Sequence, residues 1–405
     1  MDNGKFIMSQ KINDRKIALF MLPLLTCGAG AEKYFINLAK NFNDRGIRAD
    51  VITMDEAFYR KFIRALHIFV CGNFFGKIDS LRETERSVID QMGGAKWIKV
   101  SRRNLKKTLN SYDIIYSKNE LVDLFLLKII GYKKLPPVIV GVHTPILYPS
   151  TKTFLSKLHN FLYMGAVYRA LLKGVKCVHL SNKFTKDLVD NAFNVKTELI
   201  YYPFSVSDIK ERSLNNKYPD IFDSKKLNIA FVARLGEQKG VDDLAEIITK
   251  LSLEVGLIKN IKMNIFGSGD KEKEDMIRDL AVRYSFVEYF GHIENKYIPN
   301  ILSKSDLFIS TAKWETLPFN VLEAQAMGLP VIAFDIPGPR DIIVNNVTGY
   351  LVKNNEEFLD KILEFKRDSF KKENISKNIE NKFEPSIIYE KILKMFKDCM
   401  FQDKK

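Results

Sequence analysis

Short, nearly continuous apolar runs, each followed by an amphipathic stretch and repeated in two series, constrain this chain more than any other feature. A run that is apolar on both faces is a strand covered on both sides, and the amphipathic stretch after it is the helix that crosses back. In the first series the strands are predicted at Ile17–Pro23 (IALFMLP), Ala49–Thr53, Ile114–Tyr116, Val138–Val142 and Val175–Leu180, with a helix across 31–45. In the second they fall at Asn228–Val232, Lys262–Phe266, Val287–Phe290, Leu307–Ser310 and Val331–Phe334. Between 58 and 110 the rhythm breaks: aromatic and basic residues interleave (FYRKFIRALHIF, then WIKVSRRNLKK), which predicts amphipathic helices and a loop. The polar stretch ERSLNNKYPDIFDSKK, 211–226, reads as a linker, and PSIIYEKILKMFKD near the end as a helix. A chain of 405 residues has room for two cores. The predicted fold class is therefore α/β, with two Rossmann-like, doubly wound domains at 1–204 and 205–385.

No run approaches the roughly 18–20 apolar residues of a membrane span. The polar start, MDNGKFIMSQKINDRK, lacks the apolar core of a secretory signal. Cys27, Cys71, Cys177 and Cys399 are far apart and form no metal-ligand spacing, so no metal site is predicted. These features predict a soluble protein of a reducing cytoplasm. The net charge of +14 is unevenly placed. Residues 1–204 hold 32 Lys and Arg against 17 Asp and Glu, whereas 205–405 hold 31 against 32. Lys96, Lys99, Arg102, Arg103, Lys106 and Lys107 fall in one acid-free run of twelve. Such asymmetry predicts that the first domain meets an anion: nucleic acid, an anionic membrane or a phosphorylated acceptor. The absence of a reading helix, an RNP-like strand or zinc spacing argues against nucleic acid.

Chemistry is concentrated where predicted strands end. NIAFVA runs into Arg234-Leu235-Gly236-Glu237-Gln238-Lys239-Gly240, placing two cations at the ligand-binding edge of a parallel sheet. Arginine offers a rigid fork and lysine a point charge, a pairing suited to a diphosphate. Gly267-Ser268-Gly269 follows the next strand, where glycines allow close backbone approach or simply a tight turn. Glu315 and Glu323 bracket TLPFNVL. A carboxylate accepts two hydrogen bonds and so matches paired sugar or ribose hydroxyls. The N–H groups of Phe319, Asn320 and Val321 would open a helix toward a phosphate. In the first series, Gly28 and Gly30 lie in the small-residue turn after the first strand, and His143 ends another strand at the same edge. The other four histidines show no comparable placement.

In order along the chain, FVARLGEQKGVDDL, WETLPFNVLEAQAMGLPVIA and GPRDIIVNNVTGYLV resemble the strand–Arg–x4–Lys-Gly, E-x7-E and closing elements of the retaining family 4 of GT-B nucleotide-sugar glycosyltransferases. GAGAEKYFINLAKNFNDRGIRADVIT is similar to that family's first element, more loosely. The resemblance implies two Rossmann-like domains facing each other across a cleft. It assigns 1–204 to the acceptor, 205–385 to the nucleotide sugar, and 386–405 to a helix crossing back to the first domain. It also implies that Arg234 and Lys239 hold the donor diphosphate in place of a metal, that Glu323 binds the ribose and that Glu315 meets the donor sugar. Gly28 and Gly30 would lie near the diphosphate, the backbone around Gly291–Ile293 would face the base, and His143 would lie against the sugar; Gly267 and Gly269 are counted with the donor-binding residues from their own loop. The chain departs from the family at Ala29, Ala233 and TLPFN, where glycines are common, and at Tyr202-Pro203-Phe204.

The implied function is transfer of a hexose, with retention and without metal, from a UDP- or GDP-sugar foremost to a glycan or lipid-linked acceptor in bacterial-type surface polysaccharide synthesis. No cofactor is expected. The basic stretch 58–107 suggests peripheral attachment to the inner face of the cytoplasmic membrane. Two alternatives stand: a non-catalytic subunit of the same fold binding glycan or a partner transferase, and a nucleotide-sugar epimerase.

Overall fold

A computed structural model describes residues 15–21, 30–55, 57–58, 92–143, 146–147, 154–254, 256 and 258–401. The chain divides into two compact units. The first comprises Met1–Ser181, Thr185–Ile200 and Lys391–Lys405, and the second Asn182–Phe184 and Tyr201–Glu390.

In the first unit the strands are β1 (Lys16–Phe20), β2 (Arg48–Met54), β3 (Trp97–Val100), β4 (Ile114–Lys118), β5 (Val138–Val142), β6 (Cys177–Leu180) and β7 (Thr197–Leu199). The helices are α1 (Gly30–Asp44), α2 (Leu105–Leu109), α3 (Leu121–Ile130), α4 (Phe154–Met164), α5 (Ala166–Leu172) and α6 (Lys183–Ala192). The described strands form one parallel sheet in the order β3-β2-β1-β4-β5-β6-β7. Leu19 of β1 aligns with Val51 on one side and Tyr116 on the other, and Ile17–Phe20 are fully buried. That burial is what an unbroken apolar run demands.

The second unit repeats the plan. Its strands are β8 (Leu227–Val232), β9 (Ile261–Phe266), β10 (Val287–Tyr289), β11 (Leu307–Ser310), β12 (Val331–Phe334) and β13 (Gly349–Val352). They too are parallel, ordered β10-β9-β8-β11-β12-β13. Helices α7 (Val206–Asn215), α8 (Val241–Leu251), α9 (Lys271–Arg283), α10 (Ile298–Lys304), α11 (Phe319–Ala326), α12 (Pro339–Ile342), α13 (Asn355–Leu363) and α14 (Lys372–Phe383) accompany them. Helix α8 shows why: Val241, Leu244, Ile247, Ile248 and Leu251 fall on one face and are fully buried. In each sheet the order reverses beside the first strand, between β1 and β4 and between β8 and β11, which opens a crevice at the strands' carboxyl ends.

Helix α15 (Pro385–Phe401) closes the chain. From Lys391 it groups with the first unit, where Phe396 packs 5.9 Å from the Phe42 ring and 5.6 Å from Tyr116.

Two sequence expectations need correction. Trp97–Val100, read as part of a helical or looped stretch, is the edge strand β3, pairing Val51↔Trp97 through Met54↔Val100. Its basic, half-exposed character is that of an edge rather than a buried strand. In the same stretch α2 (Leu105–Leu109) is helical as expected, and 59–91 lies outside the described residues. The predicted linker at 211–226 is partly helix: α7 runs through Asn215, is capped by Ser205 Oγ accepting from Asp208 N at 3.1 Å, and packs on α10 and α11. Polar composition there marks a solvated helix face. The short strands β7 and β13 were not anticipated.

Candidate active site

In the second unit the crevice between β8 and β11 is built by two loops locked together. The turn Glu237–Lys239 sits on the segment after β11: Thr311 Oγ1 donates to Lys239 O at 2.9 Å, Lys313 N to Gln238 O at 2.9 Å, and Gln238 Nε2 to Trp314 O at 3.2 Å. Gly240 ends the turn at φ +63°, and a Cβ there would lie 1.8 Å from Thr311 O. A glycine is required on both counts. This lock brings Lys239 onto Glu315, and the two form an ion pair with little solvent exposure. Arg234 points into solvent, and no described residue pairs with it.

Gly267 and Gly269 lie where the β9 loop zips onto the β8 loop. Leu235 N donates to Ser268 O at 3.0 Å and Asp270 N to Leu235 O at 2.8 Å. Cβ atoms on the two glycines would stand 1.8 Å from Ala233 O and 2.0 Å from Leu235 O. Their N–H groups are engaged within the protein, Gly267 to Gly291 O at 2.7 Å and Gly269 to a Glu274 carboxylate oxygen at 2.7 Å. Here the glycines serve the approach of two loops.

At the start of α11, Asn320 reaches back, its Nδ2 donating to Val232 O at 3.0 Å while its Oδ1 accepts from Val321 N at 3.0 Å. The N–H groups of Phe319 and Asn320 open the helix and have no intrahelical partner. The Phe319 ring stacks on Tyr202 at 6.0 Å. One turn on, Glu323 is half-buried, and its carboxyl accepts no hydrogen bond from a described residue. Burial raises its pKa to about 7, with the charge of Arg212 pulling the other way. Arg212, on α7, also donates to Asn295 O at 3.0 Å, which pins the loop carrying the half-buried Ile293. Sequence reasoning missed Arg212 because it fell in the supposed linker.

In the first unit, Gly28 lies outside the described residues, and Gly30 is the first residue of α1. His143, directly after β5, joins a hydrogen-bonded chain: Tyr116 Oη lies 3.0 Å from His143 Nε2 and 2.6 Å from His179 Nδ1, and His179 Nε2 lies 2.7 Å from Ile200 O. The directions follow from one end. A carbonyl only accepts, so His179 Nε2 carries the proton. Burial holds the His179 pKa down at about 4, so the ring is neutral and its Nδ1 accepts from Tyr116. Tyrosine has a single proton, so its oxygen accepts from His143 Nε2–H. Burial first, then the proximity of His179 and Lys118, also drives the His143 pKa well below its ordinary value. His143 is thus a neutral ring with an unprotonated Nδ1. The sequence singled out His143 but not His179, whose role depends on adjacent strands.

Residues 215–382 match the family model for glycosyl transferases group 1. The chain is 27% identical over 310 residues to an uncharacterized 41.2 kDa protein in the cps region of Klebsiella pneumoniae, spanning 72% of this chain and 81% of that one. It is 31% identical over 156 residues, 37% of each chain, to the UDP-Gal:alpha-D-GlcNAc-diphosphoundecaprenol alpha-1,3-galactosyltransferase of Escherichia coli. Among solved structures, Anabaena HepE in complex with UDP superposes with a TM-score of 0.67 at 17% identity, over 95% of this chain and 100% of that one. A glycosyltransferase from Rickettsia africae gives 0.68 at 18%, over 96% and 100%. Residues 215–382 are a group 1 glycosyltransferase domain, carried on a chain with the fold of the GT-B glycosyltransferases.

Proposed function

We propose that the protein transfers a hexose from a UDP-sugar, with retention and without a metal ion, to a glycan or lipid-linked acceptor during surface polysaccharide assembly. The carrying observation is Glu323: a half-buried carboxyl with no hydrogen bond from a described residue, beside Arg212 and below an open helix N-terminus. A ribose diol supplies the two donors that such a group lacks. The UDP in the HepE complex and the UDP-Gal donor of the E. coli relative favour uridine. That relative's diphosphoundecaprenol acceptor, and the cps-region location of the K. pneumoniae relative, favour surface polysaccharide. Its alpha-1,3 product favours retention, since UDP-galactose carries its diphosphate in the α configuration.

In this reading Arg234 and Lys239 take the diphosphate. Lys239 leaves Glu315 to do so, and the freed Glu315 turns to the sugar hydroxyls. As the glycosidic bond breaks, the two cations and the α11 N–H groups stabilise the growing charge on the leaving diphosphate. His143, as a neutral ring, meets the donor sugar. The six basic residues of 96–107 serve an anionic acceptor or membrane surface.

The test is thermal stabilisation by UDP and GDP in EDTA. At 100 times its Kd a ligand adds about 2.7 kcal/mol. UDP should raise the melting temperature and GDP should not, and Glu323→Ala should abolish the shift. An equal shift in Glu323→Ala would refute the assignment.

A further inference from the structure

We infer that helices α3, α4 and α5 of the first unit form a docking surface for an anionic phospholipid bilayer, at a different place from the basic edge at 96–107. On α4, Phe154, Leu158 and Phe161 lie at i, i+4 and i+7, one stripe, and are 76%, 38% and 72% exposed. Tyr163, on the opposite side of the same helix, is buried and donates to Asn119 O at 3.0 Å. The helix therefore faces the core correctly, and the outward stripe is a second apolar face. On α3, Phe125 and Ile129 repeat the pattern at i and i+4, 56% and 55% exposed, opposite the buried Leu124, Leu126 and Leu127. Helix α5 packs against both helices and adds Val167, 51% exposed. Single exposed apolar residues are ordinary, but repeated aromatic stripes on neighbouring helices mark an interaction surface.

Charge names the occupant. From Leu124 to Lys186 the chain carries ten Lys and Arg and no Asp or Glu, and every residue of these stripes falls within that run. Lys157, Arg169 and Lys173 are exposed on α4, on α5 and just after α5. Of the two acids that flank the run, Asp123 is fully buried and Asp187 is exposed on α6. Exposed aromatic side chains on a segment rich in Lys and Arg match an anionic leaflet: the rings enter the acyl boundary and the cations meet the headgroups. None of the described helices is long and apolar enough to cross a membrane, so the contact lies in the interface plane. This surface stands on its own observations and specifies where the proposed enzyme would meet a lipid-linked acceptor.

The experiment is co-sedimentation of the full chain with phosphatidylglycerol/phosphatidylcholine vesicles and with phosphatidylcholine vesicles alone, at two salt concentrations. Wild type should bind the anionic vesicles in a salt-sensitive way. Phe154→Ser/Phe161→Ser should weaken binding about tenfold or more, and Lys96→Glu/Lys99→Glu should weaken it less. Should the serine variant misfold by circular dichroism, Lys157→Glu/Arg169→Glu carries the same test. Vesicle binding unchanged in either variant overturns the proposal. So does failure of wild type to bind, or a light-scattering dimer that Phe154→Ser/Phe161→Ser converts to monomer without changing vesicle binding. The UDP-induced melting shift, measured on the same variants, should be unchanged. Its loss in wild type would refute the donor reading and leave the membrane result standing.

Discussion

The two units share a sheet plan but prepare their polar groups in opposite ways. In the first, His143 is held by a closed chain of hydrogen bonds running through Tyr116 and His179 to Ile200 O. In the second, the Glu323 carboxyl has only the charge of Arg212 and no hydrogen bond from a described residue. One group is completed by hydrogen bonds within the fold; the other, in the proposed reading, waits for a ligand. The two also respond oppositely to pH. The histidine pKa values are depressed in the folded state, so their contribution to stability is present above about 6.5 and lost as pH falls toward about 4. The Glu323 pKa is raised, so its contribution is present below the ordinary carboxyl value near 4.5 and lost as pH rises through about 7.

The largest effect should come from the exposed cation. Arg234→Ala is expected to lower kcat/KM by about 10²–10³-fold with little change in melting temperature, because no described residue pairs with Arg234. A melting temperature that falls in step with activity would move Arg234 from the waiting kind of site to the completed kind.

Glu323→Gln tests the contrast directly. Removing a carboxyl that is costly to ionise should stabilise the empty protein at pH 8 by about 2 kcal/mol and leave pH 5 almost unchanged, read by urea unfolding. It should also weaken UDP by roughly tenfold, through the loss of charged acceptors. Equal stability of wild type and variant at pH 8 would show that Glu323 is already satisfied.

Tyr116→Phe should act on the other unit. Leaving two ring nitrogens without their partner should destabilise by about 1–3 kcal/mol. The ¹⁵N spectrum of His143 should change from the single Nε2–H tautomer to a mixture. A retained single tautomer would mean that something other than Tyr116 orients the ring.

The sequence made the waiting site more legible than the completed one. Arg234, Lys239 and Glu315 lie in the loops after β8 and β11, and Glu323 lies in α11, so their places follow from short strand–loop–helix segments that can be read locally. The relay around His143 joins residues 27 and 63 positions from Tyr116. Its members become neighbours only when β4, β5 and β6 align, with His179 opposite Gly141 in the register. Arg212 was hidden for a related reason: its polar surroundings resemble a linker until α10 covers one face of its helix. Strand β3 escaped because an edge strand rich in Lys and Trp lacks the apolar run that marked its neighbours.

In the proposed reading, the Lys239–Glu315 pair gives the donor site a selectivity of its own. A ligand must draw the lysine away from a carboxylate it already holds in a shielded place, so weakly charged nucleotides face a threshold that strongly charged ones pass. UMP should therefore bind less well than UDP by more than one lost phosphate contact. In Glu315→Gln, where Lys239 no longer has an anionic partner, the affinity gap between the two nucleotides should narrow in calorimetric titrations. A gap of the same width would mean that the pair opens without opposing the incoming diphosphate.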